Sequence, residues 1–214
     1  MNGRRSSEHS RRAAPITSPD RFSHRLAVEA DLPVLRALME RSIAELQRGF
    51  LSEAEIIASR EVMGLDTQLV ADRTYFVIET RGVIVGCGGW SRRATLYGGD
   101  HSAALRDAAL LDRAKDAARV RAMYAHPDFA RRGIGRLILS LCEAAAVAEG
   151  FERVELMATL AGEPLYLACG YVEIERTASA PIKGVAVPLV RMGKAITRSP
   201  VRPSSLPGSQ TPTP

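Results

Sequence analysis

The chain has 214 residues, of which 46% are hydrophobic, enough to bury one substantial core. No apolar run approaches the roughly 20 residues that cross a bilayer, and the basic start "MNGRRSSEHSRRAAPITSPD" lacks the apolar stretch of a secretory signal. The net charge of +5 comes from the two ends of the chain: residues 1–25 and 191–214 each carry +4, whereas residues 26–190 carry −3. A negatively charged middle argues against a nucleic-acid-binding core.

The termini differ in composition from the middle of the chain. Residues 1–23 lack hydrophobic periodicity, and residues 197–214 are rich in Pro, Ser and Thr. Such segments cannot bury enough apolar surface to fold, so both are predicted to be disordered tails. Residues 24–196 are predicted to form one domain without internal repeats.

The first half of this domain predicts a strand, two helices and a hairpin. Asp31 is the expected N-cap of the first helix, with Pro33 in its first turn. Ser52 and Glu55 have the spacing of a capping box at the start of the second helix. A turn at Arg81-Gly82 joins two strands. The expected elements are a strand at 24–30, helices at 30–50 and 51–63, and strands at 74–80 and 83–91.

The second half follows a polar connection, residues 92–118, that is long for a loop. It predicts a strand, a helix, a strand, a short helix stopped by Gly170, and two final strands. Their ranges are 119–127, 133–149, 151–159, 162–170, 171–177 and 185–192. The order β-α-α-β-β-β-α-β-α-β-β predicts an α/β domain around a mixed sheet.

Cysteine and histidine spacing gives no sign of a metal site. Cys87, Cys142 and Cys169 form no CxxC pair, and the four histidines lack ligand spacing. We therefore expect no metal and no disulfide framework, and we expect each cysteine to be a small buried residue. A reducing cytoplasm fits this pattern.

The stretch "RRGIGR", residues 131–136, places small residues between arginines at a predicted helix start. Unpaired N–H groups and the partial positive charge of a helix N-terminus attract anions. Gly133 and Gly135 would leave clearance for phosphates, with arginines around the rim. The stretch predicts a pyrophosphate cradle, with a plain glycine turn as the alternative. A third glycine is missing and no Gly-Lys-Ser/Thr follows, so neither a dinucleotide fingerprint nor a Walker A loop is present.

The succession of strand, "HPDFARRGIGR", helix, strand and "LYLACGY" resembles the GCN5-related N-acetyltransferase (GNAT) family over residues 25–195. The resemblance implies the GNAT, or acyl-CoA N-acyltransferase, fold: a mixed central sheet flanked by helices. It also implies transfer of an acetyl group from acetyl-CoA, the cosubstrate, to a primary amine. The partner would be an amine-bearing small molecule or peptide, without membrane or nucleic acid. A homodimer is a further expectation of the resemblance.

The resemblance also implies roles for individual residues. Tyr166 would protonate the leaving thiolate, unless it is an ordinary core tyrosine. Ala130 and Leu160 depart from the family pattern, which often has Gln or Arg at the first position and Asn at the second, so two polar contacts to the cofactor are in doubt. The pantetheine arm would lie along Met123, Tyr124 and Ala125, and the pyrophosphate would bind Arg131, Arg132, Gly133, Ile134, Gly135 and Arg136.

The base that deprotonates the amine is left open by the sequence. Free amines have a pKa of ~10.4 and are mostly protonated at pH 7, so a carboxylate or a hydrogen-bonded water is needed. Glu155, on the strand before the short helix, is the candidate, with a solvent-facing glutamate as the alternative. Glu163 is more simply a favourable first-turn charge, and His126 could only cap a turn.

The connection 92–118 is predicted to form a wall or lid beside the acceptor, with a disordered insertion as the alternative. Tyr97, Asp100 and His101 are its acceptor-site candidates. Besides an enzyme, two other functions are considered: a GNAT-fold sensor that binds acyl-CoA without turnover, and nucleic-acid binding by the basic tails. Consumption of the cofactor would identify the enzyme, and steep salt dependence would identify nucleic-acid binding.

Overall fold

A computed structural model of the protein describes residues 22–197. The predicted tails, 1–23 and 197–214, lie outside the described residues except at positions 22, 23 and 197. Among the described residues, no helix has both the length and the apolar character needed to cross a bilayer.

The described chain folds into a seven-stranded sheet with helices on both faces. The strand order is β1-β2-β3-β4-β5-β7-β6, and all neighbours are antiparallel except β4 and β5. The predicted α/β class with a mixed sheet is confirmed. The strands are β1 (Ser23–Leu26), β2 (Tyr75–Thr80), β3 (Val83–Ser91), β4 (Ala118–Ala125), β5 (Arg153–Thr159), β6 (Val172–Ala178) and β7 (Pro188–Ala195). The helices are α1 (Leu32–Leu46), α2 (Glu53–Val62), α3 (Thr67–Ala71), α4 (Ile134–Ala148) and α5 (Glu163–Ala168).

Two local signals act as predicted. Ser52 Oγ accepts from the Glu55 N–H at 3.3 Å, and the Glu55 carboxylate accepts from the Ser52 N–H at 2.7 Å, which completes the capping box of α2. Arg81 and Gly82 both have positive φ, 51° and 76°, and form the tight turn between β2 and β3.

Other local predictions held only in part or were wrong. Asp31 is the N-cap residue of α1 and Pro33 lies in its first turn, as predicted, but the Asp31 side chain makes no capping hydrogen bond. Its carboxylate instead accepts from the Val28 N–H and pairs with Arg25, and β1 ends at Leu26, earlier than predicted. The short helix α3 was not predicted, although Asp66 caps it by accepting from the Gln68 N–H at 3.1 Å. The last strand lies three residues later than predicted, at 188–195.

The sheet separates two apolar layers. On one face α4 packs on β2, β3 and β4 and shares its core with buried residues of β5 and β7, and on the other face α1 packs on β3 and β4. The buried side chains of α4 are Ile134, Ile138, Leu139, Cys142 and Ala146, and those of α1 include Leu35, Leu38, Met39 and Ile43. Both helices repeat apolar residues every three or four positions, so each buries a single stripe against the sheet.

Glycines in β3 let the start of α4 approach the sheet closely. A Cβ on Gly86 would lie 2.4 Å from Ile134 Cγ2, and a Cβ on Gly88 would lie 2.6 Å from Ile138 Cγ2 and 2.8 Å from Met123 Cγ. Carbon atoms do not approach this closely, so the missing side chains fix the height of α4 above β3 and β4.

Gly88→Ala should therefore lower the free energy of unfolding by about 1–3 kcal/mol, because overpacking forces side chains from their rotamers. Urea denaturation measures the loss. Ile138→Leu removes the clashing branch, so the double variant should lose less than the sum of the two single losses. Strictly additive losses would show that this contact does not set the helix position.

Candidate functional site

β4 and β5 are paired only where they begin. Their parallel ladder contains Ala118↔Val154 and Arg119↔Glu155, and the rest of β4, residues 120–125, has no partner in β5. β4 is bent by an irregular register opposite β3 and by Ala122, whose φ is +51°. Tyr75 Oη donates to the Ala122 carbonyl oxygen at 2.7 Å and holds this bend. The two strands consequently diverge and leave a gap in the sheet.

The Ala125 peptide groups point into this gap. The His126 N–H donates to the Val85 carbonyl at 2.9 Å, and Gly86 lies opposite Ala125 one position further along the antiparallel ladder. Because hydrogen-bonded and non-hydrogen-bonded pairs alternate in such a ladder, the Ala125 N–H and C=O are directed away from β3 and toward β5. An unpaired N–H is thus available beside the gap.

The N-terminus of α4 lies at the open end of β4. Gly133, its N-cap residue, has φ +90°, and no side chain caps the helix. A Cβ on Gly133 would meet nothing within 4 Å, so the first-turn N–H groups are open to approach. The neighbouring Arg131, with φ +65°, and Arg136 are exposed, and the Arg132 guanidinium lies 5.1 Å from the centre of the Phe129 ring.

Gly135 and Ile134 have packing contacts that the sequence did not indicate. A Cβ on Gly135 would lie 2.5 Å from Leu165 Cδ2, so this glycine is required where α4 passes α5. Ile134 is buried against β3. Clearance for phosphate is therefore a feature of Gly133, whereas the missing side chain of Gly135 accommodates α5.

Tyr166 lies beside the gap. It is half-buried on α5, its Oη is 3.9 Å from Met123 Sδ, and its ring packs edge-on against Tyr171 with centroids 5.9 Å apart. Burial raises the pKa of the Tyr166 hydroxyl above its ordinary value of 10.0, so the group stays protonated at neutral pH. A neutral phenol in this position can donate a hydrogen bond into the gap.

Tyr166 shares a cleft with residues from both sides of the gap. The inner wall of this cleft contains residues of β4, β5 and α5: Met123, Tyr124, Leu156, Thr159 and Tyr166. Its outer wall contains residues from α2, the connection 92–118, β5 and β7: Val62, Met63, Leu96, Tyr97, Met157 and Leu189. None of the described residues that line the cleft is an aspartate or a glutamate.

Glu155, the predicted base, is not brought into the cleft. Its Oε2 accepts from Arg119 Nη1 at 2.6 Å and from Arg191 Nη2 at 2.6 Å, at the end of the sheet where β4 and β5 still pair. Two guanidinium groups occupy one carboxylate oxygen, and Glu155 is absent from the cleft lining, so it is poorly placed to take a proton from an amine. The geometry favours a structural ion pair.

Glu155→Gln should accordingly change kcat by less than about twofold while lowering the free energy of unfolding by about 1–3 kcal/mol, through loss of charge-assisted hydrogen bonds. Steady-state rates and urea titrations of the same preparation separate these effects. A fall in kcat of about 100-fold, the size expected for a lost general base, would restore Glu155 to the catalytic role.

The connection 92–118 contributes one of its three acceptor candidates to the cleft. Tyr97 lines the outer wall. Asp100 instead accepts from the Thr67 N–H and Oγ1, both at 3.0 Å, and His101 Nε2 is 2.9 Å from the Glu61 carbonyl oxygen. These two side chains attach the connection 92–118 to α3 and α2. The connection is therefore an ordered wall around residues 100 and 101.

An ion pair that the sequence analysis missed supports the same wall. Arg121, 3% exposed, pairs with the fully buried Asp66 at 2.6 Å and donates to the Gly98 carbonyl at 2.9 Å. Arg106 also pairs with Asp66. Two arginines in one predicted strand, Arg119 and Arg121, were the available signal, because a buried charge needs a partner.

Solved structures of other proteins share the fold of this chain. A GCN5-related N-acetyltransferase from Rhodopseudomonas palustris superposes with a TM-score of 0.60 at 20% identity, over 86% of this chain and 100% of that one. PaiA N-acetyltransferase from Thermoplasma acidophilum, solved with coenzyme A, gives 0.57 at 13%, over 82% and 99%. YncA, a putative acetyltransferase from Salmonella typhimurium solved with acetyl-CoA, gives 0.55 at 14%, over 86% and 99%.

Sequence comparison adds the family. None of the curated proteins matches this chain. The sequence model of the Acetyltransferase (GNAT) family matches residues 40–171, which include β2 to β5, α4 and α5 and account for more than half of the chain. The chain belongs to the GNAT acetyltransferase family.

Proposed function

We propose that the protein transfers an acetyl group from acetyl-CoA to a primary amine by direct attack. The observation that carries the proposal is the gap between β4 and β5, which Tyr166 lines, together with the uncapped N-terminus of α4 that follows β4 in the chain. Two structural neighbours were solved with coenzyme A or acetyl-CoA, which agrees with a cofactor of this class.

The elements around the gap suit the parts of acetyl-CoA. The first-turn N–H groups of α4 bind pyrophosphate oxygens at Gly133, and Arg131 and Arg136 supply positive charge nearby. The pantetheine arm lies along Met123, Tyr124 and Ala125, where β4 lacks a strand partner. The amide groups of the pantetheine arm form hydrogen bonds with the β4 backbone in place of the missing strand partner.

The same contacts orient the thioester. The amine nitrogen attacks the acetyl carbonyl carbon and the C–S bond breaks. The nitrogen gives up its remaining extra proton to water, the thiolate takes up a proton from water, and an amide and coenzyme A leave. The Ala125 N–H stabilises the charge that develops on the carbonyl oxygen. A hydrogen bond from Tyr166 stabilises the departing sulfur. Since a free thiol has a pKa of ~8.5, this hydrogen bond is sufficient and the phenol need not give up its proton.

The proton of the acceptor ammonium leaves through water. No described residue lining the cleft carries a carboxylate, and Glu155 is held by two arginines. A proton therefore passes to solvent before attack, and kcat/KM should rise with pH toward the pKa of the amine, ~10.4.

The direct test is amine-dependent release of coenzyme A thiol from acetyl-CoA by the full chain, with the acetylated amine identified by mass spectrometry. The proposal expects both products in equal amounts. Binding of acetyl-CoA without any thiol release across a broad amine panel would instead identify a sensor, and absence of binding would reject both functions.

A further inference from the structure

The acceptor side of the cleft contains an apolar, adaptable patch. Met63 and Met157 lie on the outer wall of the cleft, and Met123 lies opposite them on β4, where the pantetheine arm is proposed to bind. Leu96 and Leu189 complete the apolar surface, and Tyr97 adds an aromatic ring. Methionine has three rotatable bonds and a polarisable sulfur, so such a surface adjusts to apolar groups of different shapes.

The cleft has no counter-charge for a cationic ligand. Its one charged lining residue in the described chain is Arg121, which is itself positive and is already neutralised by Asp66 at 2.6 Å. An acceptor with a second ammonium group would lose the hydration of that charge and gain no carboxylate in return. The reacting amine escapes this cost because it enters without its proton.

From these two observations we infer that the acceptor is a monoamine carried on an apolar aliphatic or aromatic body, and that polyamines are excluded. This inference rests on the proposed acetyltransferase function. The apolar body contacts Met157 and Leu189, and its amine points toward the gap beside Tyr166. Specificity arises because the apolar body of the acceptor is buried and because the described cleft residues offer no carboxylate to a second ammonium group.

A matched pair of amines tests the inference on the unmodified protein. 1,4-Diaminobutane is n-butylamine with a second amino group at the far end, so the two compounds share the reacting end. After correction for the two equivalent ends of the diamine, kcat/KM should favour butylamine by at least about tenfold. Each methylene added from ethylamine to hexylamine should raise kcat/KM by roughly threefold to fourfold.

Met157→Glu and Met157→Gln test the charge separately from the shape. The two replacements have nearly the same size, but only glutamate supplies a counter-charge. We expect the ratio of kcat/KM for diaminobutane over butylamine to be about tenfold higher in Met157→Glu than in Met157→Gln. Thermal unfolding with and without acetyl-CoA shows that both variants are folded and bind the cofactor.

The outcomes separate this inference from the proposed function. Equal or faster acetylation of diaminobutane by the unmodified protein overturns the inference and leaves the acetyltransferase function intact. Acetyl-CoA binding with turnover of neither amine also overturns it. Absence of acetyl-CoA binding removes the proposed function, and the inference falls with it.

Discussion

Gly133→Asp should weaken acetyl-CoA binding on the order of 100-fold, because its carboxylate would occupy the position proposed for the pyrophosphate and repel it. Space allows the change, since a Cβ added at Gly133 would meet nothing within 4 Å, but φ +90° strains any side chain there. Asp and Asn tolerate left-handed conformations better than most residues, and both replacements carry the same backbone strain.

Thermal unfolding measures this effect. Acetyl-CoA at 100 times its Kd should stabilise the parent by ~2.7 kcal/mol, or roughly 5–10 °C for a domain of this size. The same concentration should leave Gly133→Asp nearly unshifted. Gly133→Asn has the same shape without the charge and should retain most of the shift. Equal shifts in parent and Gly133→Asp would mean that phosphate binds elsewhere.

Tyr166→Phe should lower kcat by about 100-fold with less than about a twofold change in KM for acetyl-CoA, because the hydroxyl acts on the sulfur as it leaves. The packing of the ring against Tyr171 is kept, so the stability should change little. Single-turnover rates of amide formation give the chemical step directly. A variant with unchanged kcat would show that Tyr166 only packs beside Met123.

The pH dependence distinguishes the role of Tyr166 further. Burial raises its pKa above 10.0, so the parent keeps the proton on this hydroxyl as the pH rises to 10. The rate should therefore rise with amine deprotonation and show no falling limb below pH 10. A falling limb centred near pH 8 in the parent, absent in Tyr166→Phe, would contradict the raised pKa.

The sequence predicted features that depend on neighbours along the chain. The capping box at Ser52, the turn at Arg81-Gly82 and the glycine at the start of α4 require particular residues at fixed local spacing, and the structure contains all three. The resemblance to the GNAT family also indicated the fold correctly, since its two motifs lie in order on β4, α4 and α5.

Features that depend on distant pairing were missed. Glu155 meets Arg191 because β7 inserts between β5 and β6, and no local spacing reports that insertion. The requirement for Gly135 comes from Leu165 on another helix. Asp100 was predicted as an acceptor-site candidate and Asp66 was not singled out, and only the folded chain places them against α3 and Arg121.

Hydrogen–deuterium exchange with and without acetyl-CoA would test the central claim most directly, namely that the gap between β4 and β5 and the start of α4 hold the cofactor. The account predicts slower exchange in peptides covering residues 122–137, with Ala125 and the first-turn amides of α4 protected, and little change in β1 and β6. Acetyl-CoA binding that leaves residues 122–137 unprotected would contradict the account.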